Sequence, residues 1–145
     1  MAERFRRDQS IGEIMTRNVV ILDPSATITE VARQMRDNDT GAVIVAEGDE
    51  MRGLLTDRDI VVRSIAEGRS PHDTKAGDIC TTDLVTLGPG STIDEAVKAM
   101  RDANVRRLPV AENGTPIGVI SLGDLAMARD EESALADISS ASPNN

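Results

Sequence analysis

The stretch Gly53-Leu54-Leu55-Thr56-Asp57-Arg58-Asp59 returns 65 residues later as Gly118-Val119-Ile120-Ser121-Leu122-Gly123-Asp124. Each copy runs glycine, two apolar residues, a hydroxyl residue, two variable positions and an aspartate. The match extends outward without a gap, pairing Gly12 to Ile60 with Gly77 to Leu125. About a third of the aligned positions are identical, the signature of a duplicated supersecondary unit.

Each copy reads alike locally. A short apolar lead-in (Ile11 to Met15; Ala76 to Cys80) precedes a β-rich stretch, Val19 to Leu22 or Leu84 to Leu87, and a proline at Pro24 or Pro89. Thr27-x-x-Glu30 and Thr92-x-x-Glu95 are capping boxes, in which hydroxyl and carboxylate satisfy the free N–H groups of a helix start. The apolar residues Ile28, Val31, Ala32 and Met35 follow helical spacing, and Ile93, Ala96, Val97 and Met100 repeat it. Two strands joined by a polar turn come next: Ala42 to Ala46 with Arg52 to Thr56, then Leu108 to Ala111 with Ile117 to Ser121. Asn113-Gly114 in the second turn accepts positive φ at both positions and predicts a tight hairpin. A last helix begins at Thr56 and at Ser121.

The predicted fold is therefore α/β, in the α+β sense. Two β-α-β-β-α repeats pack through their sheets with pseudo-two-fold symmetry and share a core that neither could bury alone. The expected organisation is an N-terminal tail (1–10), repeat 1 (11–68), a linker (69–75), repeat 2 (76–130) and a C-terminal tail (131–145).

Composition narrows the function. A net charge of −9 argues against general nucleic-acid binding, which needs clustered Lys and Arg. Phe5 is the only aromatic, so a nucleobase would lie between aliphatic side chains rather than on a stacking platform. The longest apolar run, Ala42 to Ala46, is far too short to span a membrane, and the charged N-terminus carries no signal-peptide pattern. One cysteine, Cys80, fits a reducing cytoplasm. Cys80 and His72 could in principle form a nucleophile pair. His72, however, lies in the polar connector, and Cys80 replaces Met15 of the other repeat as a small core residue, so no catalytic, cofactor or metal site is expected.

The recurring motif places a strand end against a helix start, where unpaired N–H groups and the helix dipole favour an anion. Its hydroxyl can bond a ribose or phosphate oxygen, and its aspartate can accept from ribose hydroxyls. The same spacing is also a plain capping box, a purely structural alternative.

With these motifs, the lead-ins Ile14-Met15-Thr16 and Ile79-Cys80-Thr81, and Arg106-Arg107-Leu108-Pro109-Val110, the chain resembles the cystathionine-β-synthase (CBS) domain pair, or Bateman module. The run GLLTDRDIVVR is most similar to small bacterial pairs of the hypoxic-response type. The resemblance implies a regulatory module that binds AMP, ADP, ATP or S-adenosylmethionine in two clefts between the repeats. Asp59 and Asp124 would hold the ribose, and Thr56 and Ser121 would contact ribose or phosphate. Thr16 with Val20, and Thr81 with Val85, would line the adenine edge, with Arg106 or Arg107 on the phosphate. It also implies a homodimer built by helix packing and a separate effector protein.

The copies differ where a phosphate would sit. Gly41-Ala42 stands opposite Arg106-Arg107, and Arg58 opposite Gly123. The Asp124 side is therefore expected to hold phosphate better, with Arg106 as its main cation and Gly41 leaving room for the base. A scaffold that keeps the fold without binding nucleotide is the competing reading.

Overall fold

The computed structural model describes residues 9–130, with the backbone alone at Asp130. The two terminal tails, including the basic cluster around Phe5, lie outside the described residues apart from Gln9 and Ser10. Two compact units divide the chain, and each is named here by its motif. The Asp59 unit comprises Arg17–Leu84 and Ala111–Ile117; the described residues of the Asp124 unit are 9–16, Val85–Val110 and 118–130.

In the Asp59 unit, β1 (Ile21–Leu22) pairs in parallel with β2 (Ala42–Glu47), which pairs antiparallel with β3 (Glu50–Thr56). Between them α1 (Ile28–Asn38) packs on the sheet. Thr27 caps α1 as its sequence requires: its hydroxyl accepts the Glu30 N–H at 3.2 Å, and the Glu30 carboxylate accepts the Thr27 N–H at 2.8 Å. Ile28, Val31 and Met35 are buried, joining Val43, Val45, Leu55, Ala76, Ile79 and Cys80 in one core. Ala32 is exposed, so the apolar stripe is narrower than its sequence pattern. The linker docks on the first turn of α1, where the N–H groups of Ile28 and Thr29 donate to the carbonyls of Thr74 and Pro71.

After β3 the chain makes one short helical turn, α2 (Asp57–Asp59), and widens into a π-helix over Ile60–Ile65. The lead-in of repeat 2 forms α3 (Ala76–Ile79). Thr81 then pairs with Leu54 in both hydrogen-bonding directions, at 2.9 and 3.0 Å, adding a rung to the free edge of β3.

Repeat 2 follows the same plan with α4 (Ile93–Ala103), the hairpin strands β4 (Arg107–Glu112) and β5 (Thr115–Ser121), and α5 (Leu122–Asp130), all within the Asp124 unit except the hairpin tip Ala111–Ile117. Asn113 and Gly114 both take positive φ, 55° and 83°, as the hairpin reading required. The lead-in of repeat 1 supplies a short 3-10 turn at Ile11–Glu13, and Thr16 pairs with Val119 at 2.9 and 3.0 Å. Each lead-in thus completes the sheet of the unit that carries the opposite motif.

The expected strand Leu84 to Leu87 shrinks to a single bridge, Leu87 with Val110. In repeat 1 the Ile44 N–H donates to the Val20 carbonyl at 2.9 Å. The matching donor in repeat 2 is Pro109, which has no N–H, so the rung to Val85 cannot form. Among the described residues no helix is long and apolar enough to cross a membrane.

Candidate functional site

The two motifs adopt one geometry. Thr56 leaves β3 extended, its hydroxyl accepts the Asp59 N–H at 3.1 Å, and its own N–H donates to Asp59 Oδ2 at 2.9 Å. Ser121 and Asp124 repeat both bonds at 3.0 Å. In each motif one carboxylate oxygen is thus committed to the cap. Both aspartates are half-buried.

The backbone brings the other candidates to the same junction. The Asp57 N–H donates to the Gly41 carbonyl at 2.9 Å, and the Leu122 N–H donates to the Arg106 carbonyl at 2.8 Å. Gly41 and Arg106 therefore sit at the helix starts, with Arg106 exposed and Arg107 half-buried at the start of β4. Arg58 is exposed in the first turn after Thr56.

Because the lead-ins are exchanged, Thr81 joins Gly41, Thr56, Arg58 and Asp59, while Thr16 joins Arg106, Arg107, Ser121 and Asp124. Val20 belongs to the Asp59 unit and Val85 to the Asp124 unit. Neither valine thus shares a unit with the threonine four residues before it.

This crossing explains the glycine that opens each motif. A Cβ on Gly53 would lie 2.5 Å from the Thr81 carbonyl oxygen and 2.8 Å from Cys80 Sγ. On Gly118 it would lie 2.6 Å from Met15 Sδ and 2.8 Å from the Thr16 carbonyl oxygen. Only a bare backbone admits the lead-in at these distances.

Arg63 is the residue that sequence reasoning missed. Its Nη1 donates to the Ile79 carbonyl at 3.1 Å, and its Nε lies 3.9 Å from Asp59 Oδ1. The (i, i+4) acid–base spacing within one helix was the available signal. The aligned residue in repeat 2 is Ala128.

Cys80 is buried, and burial pushes its thiol pKa up, with Asp59 adding to the rise. His72 contacts the Thr29 hydroxyl through Nδ1 at 3.2 Å, on the first turn of α1. A cavity of about 300 Å³ opens beside Cys80, lined by Pro24, Glu47, Arg52, Gly77 and Thr82. It includes none of the nucleotide candidates, and its Arg52 is paired with Glu47 at 2.6 Å. Among the described residues no group of three or more His, Cys, Asp or Glu could hold a metal ion.

The CBS domain family matches residues 11–65 and 76–131. The chain belongs to this family. Among curated relatives of this CBS pair, Uncharacterized protein MK0525 of Methanopyrus kandleri is 36% identical, covering 82% of this chain and 62% of that protein. The chain thus spans less than two thirds of that relative's length. CBS domain-containing protein YhcV of Bacillus subtilis is 34% identical, covering 94% and 97% of the two chains. Hypoxic response protein 1 of Mycobacterium tuberculosis is 32% identical over 79% and 80%.

Solved structures agree with the fold. The hexameric CBS-CP12 protein from bloom-forming cyanobacteria superposes with a TM-score of 0.77 at 28% identity, covering 83% and 68%. Hypoxic Response Protein I, solved with two coordinated zinc ions, gives 0.71 at 30% identity over 81% and 97%. Two CBS repeats in the α/β arrangement expected from the sequence are thereby established for this chain.

Proposed function

We propose that this CBS pair is a regulatory module that binds an adenosine nucleotide at its strand-to-helix motifs and signals its occupancy to a separate protein. The reading rests chiefly on the divided use of the Asp124 carboxylate. Oδ2 is fixed by the Ser121 N–H, which orients the second oxygen at a half-buried helix start where ribose hydroxyls could donate to it. Exposed Arg106 at the same helix start offers a cation for phosphate, and Thr16 comes to the adjoining strand through its pairing with Val119. AMP, ADP and ATP all suit this set, and S-adenosylmethionine shares the adenosine moiety. No residue in the set supplies a nucleophile with a base beside it, so the reading is of binding without catalysis.

Asp124→Asn and Asp59→Asn provide the test. The amide oxygen can keep accepting the capping N–H, while the NH2 presents a donor where ribose needs an acceptor. Calorimetry with AMP should show a loss of about tenfold or more for Asp124→Asn, the effect of one unpaired polar contact at a ligand. Asp59→Asn should weaken AMP less. Loss of AMP binding through Asp59→Asn alone would reverse the assignment of the stronger site.

One observation favours the scaffold reading: both motifs form complete capping boxes with no ligand needed. On that reading neither Asn variant alters partner capture, and added nucleotide changes nothing.

Self-association as a homodimer belongs to the same proposal. Val61, Val62 and Ile65 are 59%, 44% and 55% exposed on the π-helix, an apolar face suited to a second copy. The hexameric CBS-CP12 relative supports self-association of this fold.

A further inference from the structure

The two motif aspartates differ in what faces their uncommitted oxygen. In the Asp59 unit the Arg63 guanidinium is anchored at one end by the Ile79 carbonyl, at 3.1 Å. That carbonyl closes α3, a helix of four residues whose last C=O groups have no partner within the helix. Anchored there, the guanidinium turns Nε toward Asp59 Oδ1 at 3.9 Å, an ion-pair distance too long for a hydrogen bond. Arg63 also links two strips of chain that carry ligand candidates: Asp59 on its own helix, and Thr81 two residues beyond Ile79. In the Asp124 unit the matching position is Ala128, 3% exposed and without a charge.

We infer that Arg63 is a built-in competitor for the ribose-facing oxygen of Asp59 and keeps the Asp59 motif the weaker of the two nucleotide sites. The inference rests on the nucleotide reading above. A ribose hydroxyl that donates to Oδ1 must share that oxygen with the guanidinium or displace it, and displacement also loosens the lead-in that holds Thr81. Among the described residues no cation pairs with Asp124, which asks for no such exchange. Arg63 acts here as a positioning residue, setting the affinity of a site through Asp59 and Ile79.

The test uses the full chain carrying Asp124→Asn, so that the Asp59 motif alone is read. Adenosine is the probe, because it lacks the phosphate that Arg63 would attract. Adding Arg63→Ala should tighten adenosine binding about fivefold by calorimetry, the scale of one weak charged contact removed. Arg63→Lys, which keeps the charge but cannot span both partners, should fall between. Without ligand, hydrogen exchange at the Thr81 amide should quicken about threefold or more in Arg63→Ala as the tie to Ile79 is lost.

Unchanged or weaker adenosine binding in Arg63→Ala overturns the competitor role, and unchanged Thr81 exchange overturns the tie. If the unmodified chain binds neither adenosine nor AMP, the nucleotide reading fails first and the competitor role falls with it. Binding by the unmodified chain without the Arg63→Ala gain refutes this inference alone.

Discussion

At the scale of single residues, three glycines separate packing from propensity. Gly53 and Gly118 lie where a lead-in backbone crosses, whereas Gly123 has only Ser121 Oγ near its missing Cβ, at 3.7 Å. Gly118→Ala should cost about 2–3 kcal/mol through overpacking. Gly123→Ala, at an exposed position of α5, should gain about 0.5–1 kcal/mol of helix propensity. Urea unfolding of the two variants should move in opposite directions. Cys80 makes a second case. Its buried thiol, with a raised pKa, should react slowly with an aromatic disulfide reagent in the native chain and at once in urea.

The helices show what is local in this fold. Hydrogen bonds from the Thr27 backbone and then its side chain hold the Glu30 carboxyl below its ordinary 4.5. A folded value below the unfolded one means the box stabilises the chain above pH 4.5 and loses that contribution as pH falls through the lower folded value. Glu30→Gln should therefore flatten the acid side of the melting-temperature profile and leave its neutral shape unchanged, as calorimetric melts across pH would show. Capping boxes and the Asn113-Gly114 turn were legible because partners three or four residues apart decide them. The same holds for the strand-to-helix motifs, whose hydroxyl and carboxylate satisfy each other. Two features were not legible. The missing strand before Pro89 depends on Pro109 facing Val85, more than twenty residues away. The π-helix after Asp59 has the same apolar composition as an ordinary helix, so spacing alone did not reveal it. Arg63 stayed hidden for a related reason, since its anchor, the Ile79 carbonyl, belongs to the next repeat.

For the whole molecule, the exchange of lead-ins is the organising fact, and no local pattern announces it. Ile11 and Met15 are buried within the Asp124 unit, and the N–H groups of Ile11 and Gly12 donate to the carbonyls of Ser91 and Pro89. A chain starting at Arg17 should therefore lose thermal stability, and amide exchange should quicken first at Val119, whose N–H donates to Thr16. Equal exchange throughout that chain would contradict the assignment. The proposed dimer face has its own check: Ile65→Glu should shift sedimentation toward the monomer with the circular dichroism spectrum unchanged. The exchange also bears on ancestry. A single-repeat forerunner with this lead-in could complete its sheet only by trading that segment with a second molecule. Duplication of such a forerunner would join two mutually dependent chains end to end and turn a trade between molecules into a trade within one. Each repeat thus depends on a segment of the other, and a gene split at the linker should give two products that fold together when made together and poorly when made apart.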